Sequence, residues 1–500
     1  MPSFSSQHSQ TYMNYIDGSW IGASTGKTYS VVNPADTNAI VGNFQESGPE
    51  DAQKAIMSAH NAFTSWRQTP PPLRASILFK VWHLMRERQN EIAKTITHEE
   101  GKPIKDALGE VKRTINILEF TAGEGRRMYG QTVPSELTKN FTYTIRKPLG
   151  VVAIISPWNF PLSIPIWKIA PALICGNAVI FKPATGTPLT AVVIMELFID
   201  AGLPKGVLNL VTGPGGKVGD ELIKHPLVKG ISFTGSNEIG ATVYDEGSKR
   251  MKKVQCEMGG KNAVVVLQDA DMEVAVEGIV QGAFGSTGQR CTATSRVVVE
   301  EKVYEAFIEK IVTQTKKLKV GNGSKPDVDV GPLASESQFK KVLGHIATGK
   351  EEGATLLLGG NPMSGPECGN GYFVDPTIFA DVAQDMSLAQ EEVFGPVLSV
   401  LKAKDLNEAV DIANNVKFGL SSSIYTRDIG AAFQFIDEID VGMVHVNSPT
   451  LGGEAQMPFG GTKASGMGTR EQATTAIDFF TELVSVYIDY TGKTREAKFI

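Results

Sequence analysis

Apolar residues recur three and four positions apart in DAQKAIMSAHNAFTSW, LRASILFKVWHLMRERQNEIAKTI and IKDALGEVKRTINILEF, so the stretch from about Pro49 to Tyr129 predicts three helices in succession. The period falls to two in NFTYTIRK, which follows Gly130 and Pro134 and precedes Pro148 and Gly150. That pattern predicts a strand standing apart from any core. From Gly150 onward the short β-branched runs VVAII, NAVIF, VLNLV and KGISF alternate with the helical segments PLTAVVIMELFIDAG and NEIGATVYDEGSKR. Strands this apolar, separated by helices, form a parallel sheet covered by helices. After KKVQCEMGGKNAVVVL the alternation resumes with SRVVVE and YEAFIEKIVTQTKKL, which predicts a second α/β domain starting near residue 257. The closing stretch FFTELVSVYIDY reads as another isolated strand.

Composition narrows the class. The 500 residues, 42% hydrophobic and 20% charged, suit an ordinary soluble chain of two to three domains. A formal charge of −6 and the lack of any long Lys/Arg cluster with interleaved aromatics argue against nucleic acid and leave small molecules as the expected partners. Cys175, Cys256, Cys291 and Cys368 lie far apart with no C-x-x-C pair. Neither a disulfide framework nor a metal site is expected, and the usage fits the cytoplasm. The opening MPSFSSQHSQ has no basic region followed by an apolar core, so it reads as a polar arm and not an export signal. The most apolar stretch, Val151 to Phe181, is interrupted by Pro157, Pro161, Pro165, Lys168 and Pro171, and reads as buried core instead of a membrane span.

A parallel sheet of this length invites a search for a dinucleotide site. Gly213, Gly215, Gly216 and Gly219 follow VLNLV, but Val218 stands where G-x-G-x-x-G needs its third glycine, and a simple strand-to-helix turn explains the loop equally well. FTGSNEIG places Gly235 and Gly240 between a strand and a helix whose first N–H groups would face an anion.

Chemistry is marked more clearly by PWNFPL at 157–162, CEMGGKN at 256–262 and GQRCTATSR at 288–296, extended by EEVFGPV at 391–397 and PFGGTKASGMG at 458–468. In order and spacing these motifs resemble the signatures of the aldehyde dehydrogenase superfamily, from YIDGSW near the start to the terminal strand. The resemblance implies an α/β fold of three parts: a modified Rossmann cofactor domain (1–129 and 150–256), an α/β catalytic domain (257–475), and a protruding oligomerisation β-sheet (130–149 and 476–500). Such strands imply a homo-oligomer, a dimer or a dimer of dimers.

An aldehyde gives up hydride only after a nucleophile has made its carbon tetrahedral, and a thiolate does this well because it later leaves from a thioester. Cys291 matches the family nucleophile; its polar GQRCT setting fits poorly with the small buried hydrophobe that Cys175 and Cys256 resemble. The developing oxyanion would be met by the side-chain amide of Asn159 and the backbone N–H of Cys291. Glu257 matches the carboxylate that activates the hydrolytic water, which implies a free acid product. Family members that pass the acyl group to coenzyme A generally lack this Glu; an acyl-CoA-linked reductase and a non-enzymatic binding protein are the competing classes. On the cofactor side the resemblance assigns Lys182, Thr185, Ser156, Trp158, Gly215, Gly235, Ser236, Glu392 and Phe394. The family's NAD-preferring members carry Glu where this chain has Thr185, and losing that charge implies that NADP is accepted and preferred over NAD.

For the substrate, Arg290 and Arg113 match anion ligands of the non-phosphorylating glyceraldehyde-3-phosphate dehydrogenases, and Phe160, Trp167 and Phe459 match pocket-lining positions. Two guanidinium groups converging on one pocket suit a carboxylate or phosphate. The bland alternative is that Arg113 pairs with Glu110 along its helix. The third phosphate-binding arginine has no counterpart in NSPTLGGEAQ, and the arginines typical of succinate-semialdehyde enzymes are replaced by Trp167 and Gly285. A small acid aldehyde remains, and the likeness is greatest to 2-oxoglutarate semialdehyde dehydrogenases.

Overall fold

A computed structural model describes residues 10–365 and 368–495. The predicted polar arm lies outside the described residues up to position 9, as do the last five residues assigned to the oligomerisation strands.

The four runs read as strands after Gly150 form the parallel centre of an eight-stranded sheet. Its parallel strands lie in the order Leu208–Leu210, Ala178–Lys182, Val151–Ile155, Val228–Thr234, Lys253–Glu257. The chain therefore starts in the middle, works outward on one side, then crosses to the other, so a topological switch point lies between Val151–Ile155 and Val228–Thr234. A ligand crevice is expected outside the carboxyl ends of strands at such a point. Lys182, the Ser156–Phe160 loop, Gly235 with Ser236, and Glu257 all stand at those ends. The edges are antiparallel: Asn14–Ile16 and Ser19–Ile21 on one side, and on the other Gly466–Met467, which returns from late in the chain to pair with Cys256 and Glu257.

Only four residues separate Glu257 from Asn262, where a second sheet begins. Its seven strands run in the order Thr355–Leu358, Thr377–Ala380, Val397–Ala403, Thr294–Glu300, Asn262–Val266, Ser421–Tyr425, Met443–Val446, all parallel except the first. A link so short sets the carboxyl ends of the first sheet against the amino ends of the second. Cys291 and Glu392 immediately precede two strands of that second sheet, so they open onto the same crevice.

Two expectations change in detail. The predicted helix over LRASILFKVWHLMRERQNEIAKTI is two helices, Pro71–Glu87 and Gln89–Glu100, broken at Arg88 (φ −101°, ψ 14°), whose guanidinium bonds Asp200 at 2.7 Å. Apolar periodicity runs through the break because both pieces bury their stripes in one core. The two strands read as isolated are partners of each other: Asn140–Pro148 pairs with Thr481–Asp489 along its whole length, and Thr132–Val133 completes a small separate sheet. A hairpin, Thr28–Asn33 with Asp36–Gln45, was not anticipated. In the apolar stretch of residues 151–181, the strand Val151–Ile155 and the helix Ser163–Ile174 are buried throughout, and among the described residues no helix is long and apolar enough to cross a membrane.

Candidate active site

Cys291 follows a helix, Met272–Phe284, and a turn in which Ser286, Thr287 and Gly288 all take positive φ. For the two non-glycine residues this costs of order 1–3 kcal/mol each, so the surroundings must hold the turn. They do so at several points. Asp106 accepts from Ser286 N at 2.8 Å, Thr287 Oγ1 exchanges bonds with both backbone groups of Gly331, and Gln289 Oε1 accepts from Ala334 N at 2.9 Å. Beyond the turn, Asn262 Nδ2 donates to the carbonyls of Cys291 and Ala293 at 2.8 Å each. The nucleophile candidate is thus fixed from both sides, and Asn262, the last residue of CEMGGKN, is one the sequence reading did not single out.

Cys291 packs against a buried cluster of Ile117, Ile164, Trp167 and Phe459, which Phe160 and Met443 also border. Burial first, then the nearby carboxyls of Glu392 and Glu257, push its pKa up to about 12, with Arg113 opposing. Glu257, Glu392 and Arg113 thus lie near enough for their charges to act on the sulfur. Asn159 is buried, and its side-chain amide gives one N–H to Gln289 O at 3.1 Å, two residues before the sulfur.

Glu257 ends its strand at 3% exposure with Oε2 unpartnered among the described residues. A Cβ at Gly460 would run into its carboxylate, which accounts for the glycine in PFGG. Burial and then the neighbouring Glu471 hold its pKa well above the ordinary carboxylate range, with Lys168 and Arg470 acting the other way. Glu471 accepts from Trp167 Nε1 at 2.6 Å and pairs with Lys168, whose Nζ also donates to Ser232 Oγ at 2.8 Å. This buried ion pair also escaped the sequence reading. Its signal was Lys168 itself, a lone cation inside IPIWKIAPALI, which demands a buried acid; removing one partner of such a pair costs about 3–5 kcal/mol.

The two arginines differ. Arg290 Nη2 bonds Asp106 (3.3 Å) and Ser286 Oγ (2.9 Å), so its charge is partly answered. Arg113 does not pair with Glu110, which is engaged elsewhere. Its guanidinium lies over the rings of Trp167 (5.3 Å) and Phe459 (5.7 Å), and its Nε and Nη2 have no hydrogen-bond partner among the described residues. It lines a cavity of about 890 Å³ together with Lys112, Asn116, Phe120, Arg127 and Gly453. A buried cation with unused donors beside a cavity suits an anionic ligand, because leaving such donors unpaired is costly.

On the other side of the site, Lys182 is 4% exposed, and among the described residues its Nζ bonds only the carbonyl of Pro183, at 2.9 Å; burial lowers its pKa to about 8. Ser156 Oγ and Thr234 Oγ1 are buried at neighbouring strand ends without partners among the described residues. Ser236 caps the helix Asn237–Ser248 and stands exposed beside Gly235. Gly215 is also exposed, with open space where a Cβ would stand, and Thr185 is exposed next to Lys182. Glu392 accepts from Gly260 N at 2.9 Å. Phe394, at φ 58°, meets Trp158 edge-on at 5.4 Å between ring centroids. Unsatisfied hydroxyls, a buried cation and a helix N-terminus along one row of strand ends fit a ribose–pyrophosphate ligand.

A family model described as the aldehyde dehydrogenase family matches residues 20–486. The chain is 48% identical to the alpha-ketoglutaric semialdehyde dehydrogenase of Bacillus subtilis (strain 168) over 478 residues, covering 96% of this chain and 98% of that one. Among solved structures it is similar to an NAD-dependent aldehyde dehydrogenase from Sinorhizobium meliloti (TM-score 0.94, 34% identity, 98% and 97% of the two chains). It is likewise similar to an E. coli NADP-dependent enzyme (TM-score 0.93, 37% identity, 96% and 98%).

Proposed function

The chain belongs to the aldehyde dehydrogenase family, and from that premise we propose that it oxidises a small acid aldehyde to the carboxylic acid through a thioester on Cys291. The observation that carries this reading is that Cys291 packs against the apolar cluster of Trp167 and Phe459, the same rings that the Arg113 guanidinium overlies, with the Glu257 carboxyl near enough for its charge to act on the sulfur. Cys291 Sγ gives its proton to solvent water and adds to the aldehyde carbon. The Asn159 amide and the Cys291 N–H take up the charge that develops on the oxygen. A nicotinamide dinucleotide supplies, when bound, the two-electron acceptor that the oxidation needs. Glu257 then removes a proton from water, the hydroxyl adds to the thioester carbon, and the C–S bond breaks to release acid and restore the sulfur.

The cofactor, NAD or NADP, lies along residues 1–129 and 150–256, with Lys182 and Thr185 at the adenosine ribose, Ser156, Trp158, Gly215, Gly235 and Ser236 along the pyrophosphate side, and Glu392 and Phe394 at the nicotinamide end. NADP is preferred, because no carboxylate stands at 185. Thr185→Glu should reverse the preference. Two unit charges about 4 Å apart at an effective dielectric of 20 repel by up to about 4 kcal/mol, so kcat/KM with NADP should fall roughly a hundredfold or more while that with NAD holds. Loss of both alike would count against the assignment.

Residues 257–475 carry the nucleophile, and Phe160, Trp167 and Phe459 line the substrate's path. Arg113, helped by Arg290, holds the distal carboxylate of the substrate. The unpaired donors of Arg113 and the name of the Bacillus subtilis relative both favour 2-oxoglutarate semialdehyde. Arg113→Met should raise KM for that aldehyde about thirtyfold, equivalent to about 2 kcal/mol, with little change for an uncharged aldehyde of equal length. An equal rise for both would remove the anion reading. The sheet formed within 130–149 and 476–500, with Leu483 and Tyr487 exposed, serves association into dimers or tetramers. Four cysteines with no C-x-x-C pair among them suit the cytoplasm.

A further inference from the structure

One face of the helix Ile104–Gly123 reaches three parts of the site. Asp106, Glu110 and Arg113 follow at four- and three-residue spacing, so their side chains stack on one side. Asp106 holds the turn before Cys291, and Arg113 faces the pocket. Glu110, between them, is 2% exposed and uses both oxygens. Its Oε1 accepts from Leu162 N (2.9 Å) and Ser163 N (3.0 Å), at the start of the helix that follows Asn159, and its Oε2 accepts from Lys102 Nζ (2.8 Å). Lys102 Nζ in turn donates to the backbone carbonyl of Asn159 (2.6 Å) and sits 4.1 Å from the centroid of the Phe160 ring. The Lys102 side chain is fully buried, with Glu100 Oε2 at 4.0 Å as its second acid.

Burying this lysine and carboxylate is expensive, and an apolar pair of similar volume would usually serve stability as well or better. What an apolar pair cannot do is grip both ends of the segment from Asn159 to Ser163. The loop has few regular bonds of its own, since it lies between a strand and a helix. The Asn159 amide is already committed on one side to Gln289 O. Its remaining N–H is aimed only if the backbone of Asn159 stays fixed relative to the Cys291 loop. An error of about 1 Å in such placement can cost about a hundredfold in rate.

We propose that Lys102 and Glu110 are positioning residues that lock the Asn159 backbone, and through it the oxyanion-binding amide, at a set distance from the nucleophile loop. The inference rests on the proposed role of Asn159, and the test separates the two. Asn159→Ala alone should lower kcat about 10²–10³-fold. Lys102→Met should lower kcat about 10–100-fold, with KM for aldehyde and Kd for cofactor within about threefold. In the double variant the Lys102 effect should vanish, because an amide already removed cannot be misplaced. Glu110→Gln keeps shape and one acceptor while losing the charge; it should show the same non-additivity at smaller size and carries the test if Lys102→Met does not fold. A normal kcat in Asn159→Ala would sink the oxyanion assignment. With Asn159→Ala impaired, losses that multiply in the double variants, or that fall on KM alone, would overturn the positioning role and leave Lys102 and Glu110 as structural.

Discussion

Cys291→Ser should abolish aldehyde oxidation, lowering kcat by roughly 10⁴-fold or more, while the reduced cofactor still binds with near-native affinity. An alcohol is a far weaker nucleophile than a thiol. The charged groups that act on the native sulfur are Glu392 and Glu257, which hold its pKa up, and Arg113, which lowers it. Burial and these carboxyls disfavour the thiolate, so the sulfur must give up its proton as it attacks. The check is steady-state absorbance of the reduced dinucleotide together with mass spectrometry of trapped enzyme. Wild type should carry an acyl adduct on Cys291 and the serine variant none. Turnover by the serine variant within tenfold of wild type would end the thioester mechanism.

Glu257→Gln is the second large effect, and it should divide the reaction. Thioester formation does not need the carboxylate as a base toward water, whereas hydrolysis does. The variant should therefore still give a stoichiometric burst of reduced cofactor followed by a steady state slower by about 10²–10⁴-fold. The pH dependence follows from the direction of the shift. Burial and Glu471 raise the Glu257 pKa well above its ordinary value, so at low pH the group is a neutral acid that cannot take a proton from water. Hydrolysis should accelerate as pH rises through that raised pKa, so the rising limb should lie at higher pH than an ordinary carboxylate would give. The glutamine variant should lose that rising limb in the hydrolytic phase. A variant that loses the burst as fully as the steady state would place Glu257 before the thioester instead of after it.

Much of this site could be read from the chain because its chemistry sits in short motifs at strand ends. PWNFPL follows a strand, CEMGGKN spans the end of one strand and the start of another, and GQRC precedes a third; the strands themselves announce their place through β-branched runs. Legibility failed where partners come from far away in sequence. Lys168 meets Glu471 across about 300 residues, and Glu110 meets Leu162 across about 50, so neither pairing leaves a local pattern. The same holds for strands: Asn140–Pro148 and Thr481–Asp489 each looked solitary because each is the other's only long neighbour in that sheet. The break at Arg88 was hidden for a different reason, since a bend between two helices that face one core leaves the apolar rhythm intact.

The way the late strand Gly466–Met467 comes back to lie along Cys256 and Glu257 also bears on how the molecule can breathe. The backbone is cross-stitched: the half that bears the sulfur finishes the other half's sheet, and Glu471 follows within a few residues of that stitch. Prising the halves apart would tear the ladder holding the two buried acids side by side.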